Sequence, residues 1–295
     1  MTPAGLRVPS RAVAGLIWMA ASAACYAMAY SAMRILSEDL GIYEITFLRA
    51  VVASAFLGPW ILMTRPQAIR VTRWKLYGVR SVVTYGAMMC MVYGIANVAI
   101  ADVTALLLTT PLFTVLIAAA CLGEKVGAGR WLALVVGAAG ALLIVQPGFA
   151  TVTFASLAGL VAALGYGVAN ASTKALTGTD HPDAVAFWMY ALIAPLSLPA
   201  AALHWTTPGW GHVPLILLLG FLTMASQYCM ARAFRAADTS VVLPAYYLQM
   251  PFAAGCALLL FAEVPSMLVW GGAAIIAASA YYTAIRERKT ARLRR

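Results

Sequence analysis

Apolar runs of roughly membrane-spanning length, separated by short punctuated connections, constrain this chain more than any other feature. They lie at about 12–34, 42–63, 76–97, 101–121, 130–146, 155–175, 184–203, 213–235, 240–262 and 267–286 of 295 residues. A helix needs about 20 apolar residues to cross a bilayer. Lipid offers the backbone no hydrogen-bond partner, so each run must satisfy its amides internally, as a helix does. The breaks carry turn residues: 37–41, Arg65-Pro66, 123–129, Gln146-Pro147-Gly148, 177–183, 206–211 and Glu263-Val264-Pro265. Only 10% of the chain is charged, against about 25% in soluble domains. The expected fold class is all-α integral membrane, with ten transmembrane helices and no soluble catalytic domain.

Arg7 and Arg11 followed by small residues at 21–24 resemble a signal peptide. The run continues to Met33, however, long enough to stay as an uncleaved first span. Lys and Arg translocate poorly and mark cytoplasmic connections. With the N-terminus inside, 18 of the 20 basic residues fall on the N-terminal segment, the even-numbered connections and the tail. Arg80 is counted with the second connection, and only Arg34 and Arg49 fall elsewhere. Both termini are therefore expected in the cytoplasm. The net charge of +10 is read as loop charge, with no nucleic-acid partner. The other connections hold acids (Glu38, Asp39, Glu44, Asp102, Glu263) or no charge, and His204, Trp205 and Trp210 form an interfacial belt. The five cysteines lie inside apolar runs without CxxC spacing, which argues against a disulfide framework or metal cage.

The two halves echo each other. The first has Asp102, then Thr109-Thr110-Pro111-Leu112-Phe113, then Leu122-Gly123-Glu124; the second has Asp238, then Gln249-Met250-Pro251-Phe252, then Ala262-Glu263. Pro and Glu stand 13 residues apart in one half and 12 in the other. Five spans per half, an odd number, invert the second repeat relative to the first, an arrangement recurrent in secondary transporters. The expected units are 1–148, 149–286 and a basic cytoplasmic tail, 287–295.

The segments Thr109-Thr110-Pro111-Leu112-Phe113 and Leu122-Gly123-Glu124 resemble the signature of the drug/metabolite transporter superfamily, in its EamA-type ten-helix branch. The resemblance covers nearly the whole chain; the second half departs from it before Pro251 and before Glu263. It implies a bacterial inner-membrane exporter of small metabolites. Trp18, Tyr85 and the methionines look closest to exporters of aromatic and neutral amino acids. Drugs or other metabolites are the alternative cargo.

Polar and aromatic residues at helical spacing are the candidates for the pathway. Trp18, Ser22, Tyr26 and Tyr30 share a face; so do Tyr85, Met89 and Tyr93; and so do Tyr166, Asn170 and Lys174. Thr109, Gln227, Tyr228 and Tyr246 complete the substrate-binding set. For any single aromatic, packing or interfacial anchoring competes with this role. Pro111 and Pro251, at matching places in the halves, are hinge candidates or simple kinks. Lys174 either snorkels or attracts a carboxylate at an inner gate. Arg49 is expected to snorkel or pair with Glu44, and Glu124 and Glu263 to cap neighbouring helix starts. No acid lies at mid-membrane, which favours facilitated export or exchange. A neutral, aromatic-rich cavity suits zwitterions or apolar side chains.

A membrane-embedded enzyme is the first competing class, but His181, His204 and His212 lack metal spacing and no GxSxG or HExxH occurs. A channel is the second, and neither a charge ring nor a filter loop is present. The expectation is a non-enzymatic, monomeric carrier without metal or cofactor, whose partners are its small-molecule substrate and the bilayer.

Overall fold

The computed structural model describes residues 11–97, 103, 106–145, 154–262 and 267–293. Arg7, Asp102, Gln146-Pro147-Gly148, Glu263-Val264-Pro265, Arg294 and Arg295 lie outside the described residues.

Every apolar run with described residues is helical. The principal helices are α1 (Arg11–Leu36), α2 (Ile42–Thr64), α3 (Trp74–Asn97), α4 (Thr110–Leu122) and α5 (Ala128–Val145). The second half supplies α6 (Phe154–Thr177), α7 (Pro182–Leu203) and α8 (Val213–Ala236). Then comes α9, a broken rod of one α-turn (Thr239–Val242), a 3₁₀ segment (Leu243–Leu248) and a helix (Gln249–Phe261), followed by α10 (Met267–Leu293). Five segments are long and apolar enough to cross a membrane among the described residues: α1, α2, α7, Trp210–Ala236 and Thr239–Phe261. The end of α10 runs as helix past the expected start of the tail at 287, to Leu293.

The helices of one half pack on those of the other. α1 lies on α8 and α3 on α6, pairings that exchange when the halves are swapped; α2 meets α7 and α5 meets α10. The α5–α10 crossing is tight because both helices present glycine. A Cβ on Gly140 would stand 2.9 Å from the Gly272 carbonyl oxygen, and one on Gly272 would strike that of Gly140. Small residues let helix backbones approach where lipid gives no hydrophobic drive for association. The largest core joins both halves: Met19 from α1, Val115 from α4, Leu134 from α5, Phe234 from α8, Tyr247 from α9 and Ile276 from α10.

Pro111 and Pro251 both stand where an α-helix begins. Pro111 is in the first turn of α4 and Pro251 follows the 3₁₀ stretch of α9. Proline's missing donor is harmless in a first turn, so neither ring interrupts an established ladder.

Most charges gather at the two ends of the bundle. One end, the basic pole, carries Arg11, Arg65, Arg70, Arg73, Lys125, Arg130, Lys174, Arg232 and Arg235; the opposite pole carries Glu38, Asp39, Glu44, Trp205 and Trp210. The structure corrects one assignment. Arg80 does not belong to a connection: it sits on the second turn of α3 and is 1% exposed. Burying a charge is costly unless it is paired or hydrogen-bonded, so this placement requires partners.

Candidate functional site

Arg80 takes its partners from the second half. Its Nη1 donates to the Val185 carbonyl at 2.8 Å, and its Nη2 reaches Met189 Sδ at 2.9 Å and Gln227 Oε1 at 3.4 Å. Its Nε is buried without a partner. Gln227 passes the network on, its Nε2 donating to the Tyr26 hydroxyl. One chain of polar groups thus ties α3, α7, α8 and α1 together. A mid-depth amide needs such partners, and Gln227 has one on each side.

Beyond Tyr26 lies a chamber of phenols. Tyr26 stacks on Tyr30 with ring centroids 6.1 Å apart and planes at 22°. Tyr166 of α6, Tyr190 of α7 and Tyr246 of α9 each lie within electrostatic reach of both Tyr26 and Tyr30. Arg49 of α2 faces the same space, within reach of Tyr26, Tyr30, Tyr166 and Tyr190. Tyr30 is 47% exposed and lies within electrostatic reach of groups from both halves.

That space is not neutral, which corrects the sequence expectation. Arg49 donates to Met88 Sδ at 3.3 Å and does not pair with Glu44. Glu44 instead accepts the Thr206 amide (3.2 Å) and hydroxyl (2.6 Å) at the opposite pole. Among the described residues no carboxylate lies within 4.0 Å of Arg49 or Arg80.

At the basic pole a cavity of about 490 Å³ is lined by Arg11, Trp18, His181, Pro182, Arg232, Arg235 and Ala236. Trp18 meets the Tyr228 ring edge-on at 6.1 Å, and Trp60 meets the same ring at 6.1 Å. Arg232 stands 4.8 Å above that ring and donates to Asp183 Oδ1 at 3.1 Å. Arg235 donates to the Asp180 carbonyl at 3.1 Å. Asp180 caps the start of the α3 region, accepting the Thr72 hydroxyl at 2.5 Å and the Tyr77 hydroxyl at 3.1 Å. Burial pushes His181 below the ordinary imidazole value. Asp183, 3.2 Å away, opposes this; Arg232, Arg235 and Arg65 reinforce it.

A second cluster at this pole joins the repeats. Glu124, after α4, accepts the Thr239 amide at 3.0 Å and its hydroxyl at 2.6 Å, capping the first turn of α9. Lys174 donates to the Phe234 and Ala237 carbonyls at 2.8 and 2.6 Å, closing the end of α8, and stands 3.7 Å from Glu124. A cation at a helix C-terminus and an anion at an N-terminus are each favoured by the local dipoles.

The remaining candidates disperse. Thr109 bonds its own backbone at Leu106 (2.6 Å), and Asn170 donates to Thr114 at 3.5 Å across the α4–α6 contact. Tyr85 is half-buried near Tyr43. Met89 lies with Tyr93 and Phe154 in an apolar groove between α3 and α6. So Tyr26, Tyr166, Gln227 and Tyr246 come together, and Trp18 and Tyr228 come together. Sequence reasoning missed Arg80 and Tyr190. Arg80 was signalled by the stripe Tyr77, Arg80, Ser81, Thr84, spaced i, i+3, i+4, i+7 and all buried; Tyr190 lay on an apolar run without such a pattern.

A two-fold repeated helical bundle with polar groups collected at its centre defines the architecture of a multi-pass membrane carrier. The chain belongs to the EamA-like transporter family, whose model matches it twice, over residues 13–146 and 153–285. It is 30% identical to a riboflavin transporter of Rhizobium johnstonii over 287 residues, covering 96% of this chain and 95% of that one. It is 24% identical to an S-adenosylmethionine uptake transporter of Rickettsia bellii over 263 residues, covering 88% and 90%. It is 28% identical to a pseudopaline exporter of Pseudomonas aeruginosa over 251 residues, covering 81% and 85%. A solved crystal structure shares the fold with a TM-score of 0.79 at 16% identity, over 95% of this chain and 98% of that chain.

Proposed function

We propose that this chain carries small, ring-bearing organic metabolites across a bacterial inner membrane by alternating access of its two repeats. Ten crossings with both termini in the cytoplasm fit its distribution of basic residues, so the basic pole faces the cytoplasm. The observation that carries the reading is the gathering of phenols from both halves about a half-exposed Tyr30. Aromatic faces arranged around a space are suited to stacking with a planar cargo. The family membership supports transport, and the named cargoes of two relatives, riboflavin and S-adenosylmethionine, contain ring systems. Aromatic amino acids meet the same requirement.

In this reading Glu124, Lys174 and Thr239 form an inner latch across the repeats, and the helix starts at Pro111 and Pro251 are the hinges. Trp18 and Tyr228 receive cargo from the cytoplasm; Tyr26, Tyr166, Gln227 and Tyr246 hold it at the centre. The absence of a mid-span acid among the described residues supports facilitated movement or exchange.

The test is uptake by proteoliposomes of the purified protein, offered radiolabelled phenylalanine, tryptophan and riboflavin without an ion gradient. Saturable uptake of any of the three is expected. No uptake of any of the three or of ring-bearing acids, with or without a proton or sodium gradient, would overturn the reading.

A further inference from the structure

The charge of the centre narrows the cargo. Arg49 and Arg80 both lie within the helical bundle, and Tyr26 and Tyr190 are each within electrostatic reach of both guanidiniums. The groups they bond are neutral: two methionine sulfurs, a carbonyl oxygen and an amide oxygen. Arg80 keeps an unpartnered Nε at 1% exposure. Ionisable groups within a membrane domain pair with one another or mark the path of a charged species. Here no acid stands beside either arginine among the described residues.

The cytoplasm-facing cavity repeats the theme independently. Its charged lining is Arg11, Arg232 and Arg235, beside His181 and the indole of Trp18, and its volume of about 490 Å³ suits a metabolite. Asp183 answers Arg232 (3.1 Å), whereas among the described residues Arg235 has a backbone carbonyl and no carboxylate within 4.0 Å. From this mouth the shared α1 face of Trp18, Tyr26 and Tyr30 leads to Arg49.

We infer that the cargo is a net organic anion: a planar ring bearing a carboxylate or phosphate group, which Arg49 binds directly and Arg80 attracts from behind Tyr26 and Tyr190. Arg49 is half-buried and faces the chamber. Arg80, covered by Met189 and Gln227, contributes its field. A guanidinium matches either anion with paired donors. A zwitterion answers one arginine and brings an ammonium, and among the described residues no carboxylate stands beside either arginine to meet it. The inference rests on the carrier reading and restricts it.

Ring-matched pairs in proteoliposomes decide the matter: phenylpyruvate against phenylalanine, and riboflavin 5′-phosphate against riboflavin. The anion of at least one pair should enter about tenfold faster than its partner; phenylpyruvate alone identifies a carboxylate site, riboflavin phosphate alone a phosphate site. Equal or faster entry of phenylalanine and riboflavin overturns the inference and leaves the carrier reading standing. Failure of all four overturns that reading and this inference with it. Arg49→Gln should collapse the anion preference and Arg49→Lys should retain most of it, because charge rather than bulk sets it. An unchanged preference in Arg49→Gln also overturns the inference. Arg80→Gln should reduce the preference too; Arg80→Lys replaces it if the glutamine variant does not fold.

Discussion

The arginines at the centre and those at the basic pole are chemically identical and differently served. At the pole, Arg232 has Asp183 at 3.1 Å, Arg130 has Asp238 at 3.1 Å and Lys174 has Glu124 at 3.7 Å. At the centre, Arg49 and Arg80 have sulfurs, a carbonyl and an amide. The pole's acids are themselves buried, with side chains 1% exposed at Asp183 and 7% at Glu124, and each stands beside a cation, whereas an unpaired buried charge is costly. On the proposed carrier reading, the difference teaches that the basic pole serves closure and the interior arginines receive a counter-charge.

The comparison breaks most sharply if an acid is supplied at the centre. Gln227→Glu places a carboxylate beside Arg80, where the native amide oxygen stands at 3.4 Å. A hydrogen bond to a charged group contributes about 1.5–3 kcal/mol, and about 1.4 kcal/mol is tenfold. Uptake should fall on the order of ten- to a hundredfold, while the melting temperature in detergent does not drop. Loss of fold instead of loss of uptake would show that the centre tolerates no built-in carboxylate.

Removing a polar pair at the pole should act more mildly. Glu124→Gln and Lys174→Gln are each expected to destabilise by about 1–2 kcal/mol. Because Glu124 and Lys174 share the α8–α9 junction, the double variant should fall short of their sum. Thermal melts of the four proteins measure the coupling; strict additivity would remove the latch.

The smallest effect concerns His181. Its folded pKa lies below the ordinary value, first through burial and then through Arg232, Arg235 and Arg65, against Asp183. The unfolded chain therefore binds the proton first as pH falls. Its contribution is complete above the unfolded value of about 6.5 and is lost as pH falls below it towards the lower folded value. Melting between pH 8 and 5 should decline less steeply in His181→Gln than in the native protein.

Helix positions were legible because lipid leaves the backbone one local solution, so the expected edges of α2, α6 and α7 lie within two residues of those observed. The stripe Trp18, Ser22, Tyr26, Tyr30 also followed from spacing, though Ser22 turned to the Ser226 carbonyl of α8 at 2.9 Å. The path of Met89 into an apolar groove could not be read, since i, i+4 spacing defines a face and not what the face meets.

The sequence by itself determined the all-helical membrane class, the duplication and the sorting of charge between the two ends. These depend on local chemistry: apolar length, turn residues and the cost of moving cations through lipid. Only the tertiary structure decided that Arg80 points inward to Gln227 and Tyr26, and that Arg49 joins tyrosines from three helices. Those meetings join residues far apart in sequence, such as Tyr26 and Gln227. They depend on how the two halves pack together, which no single helix encodes.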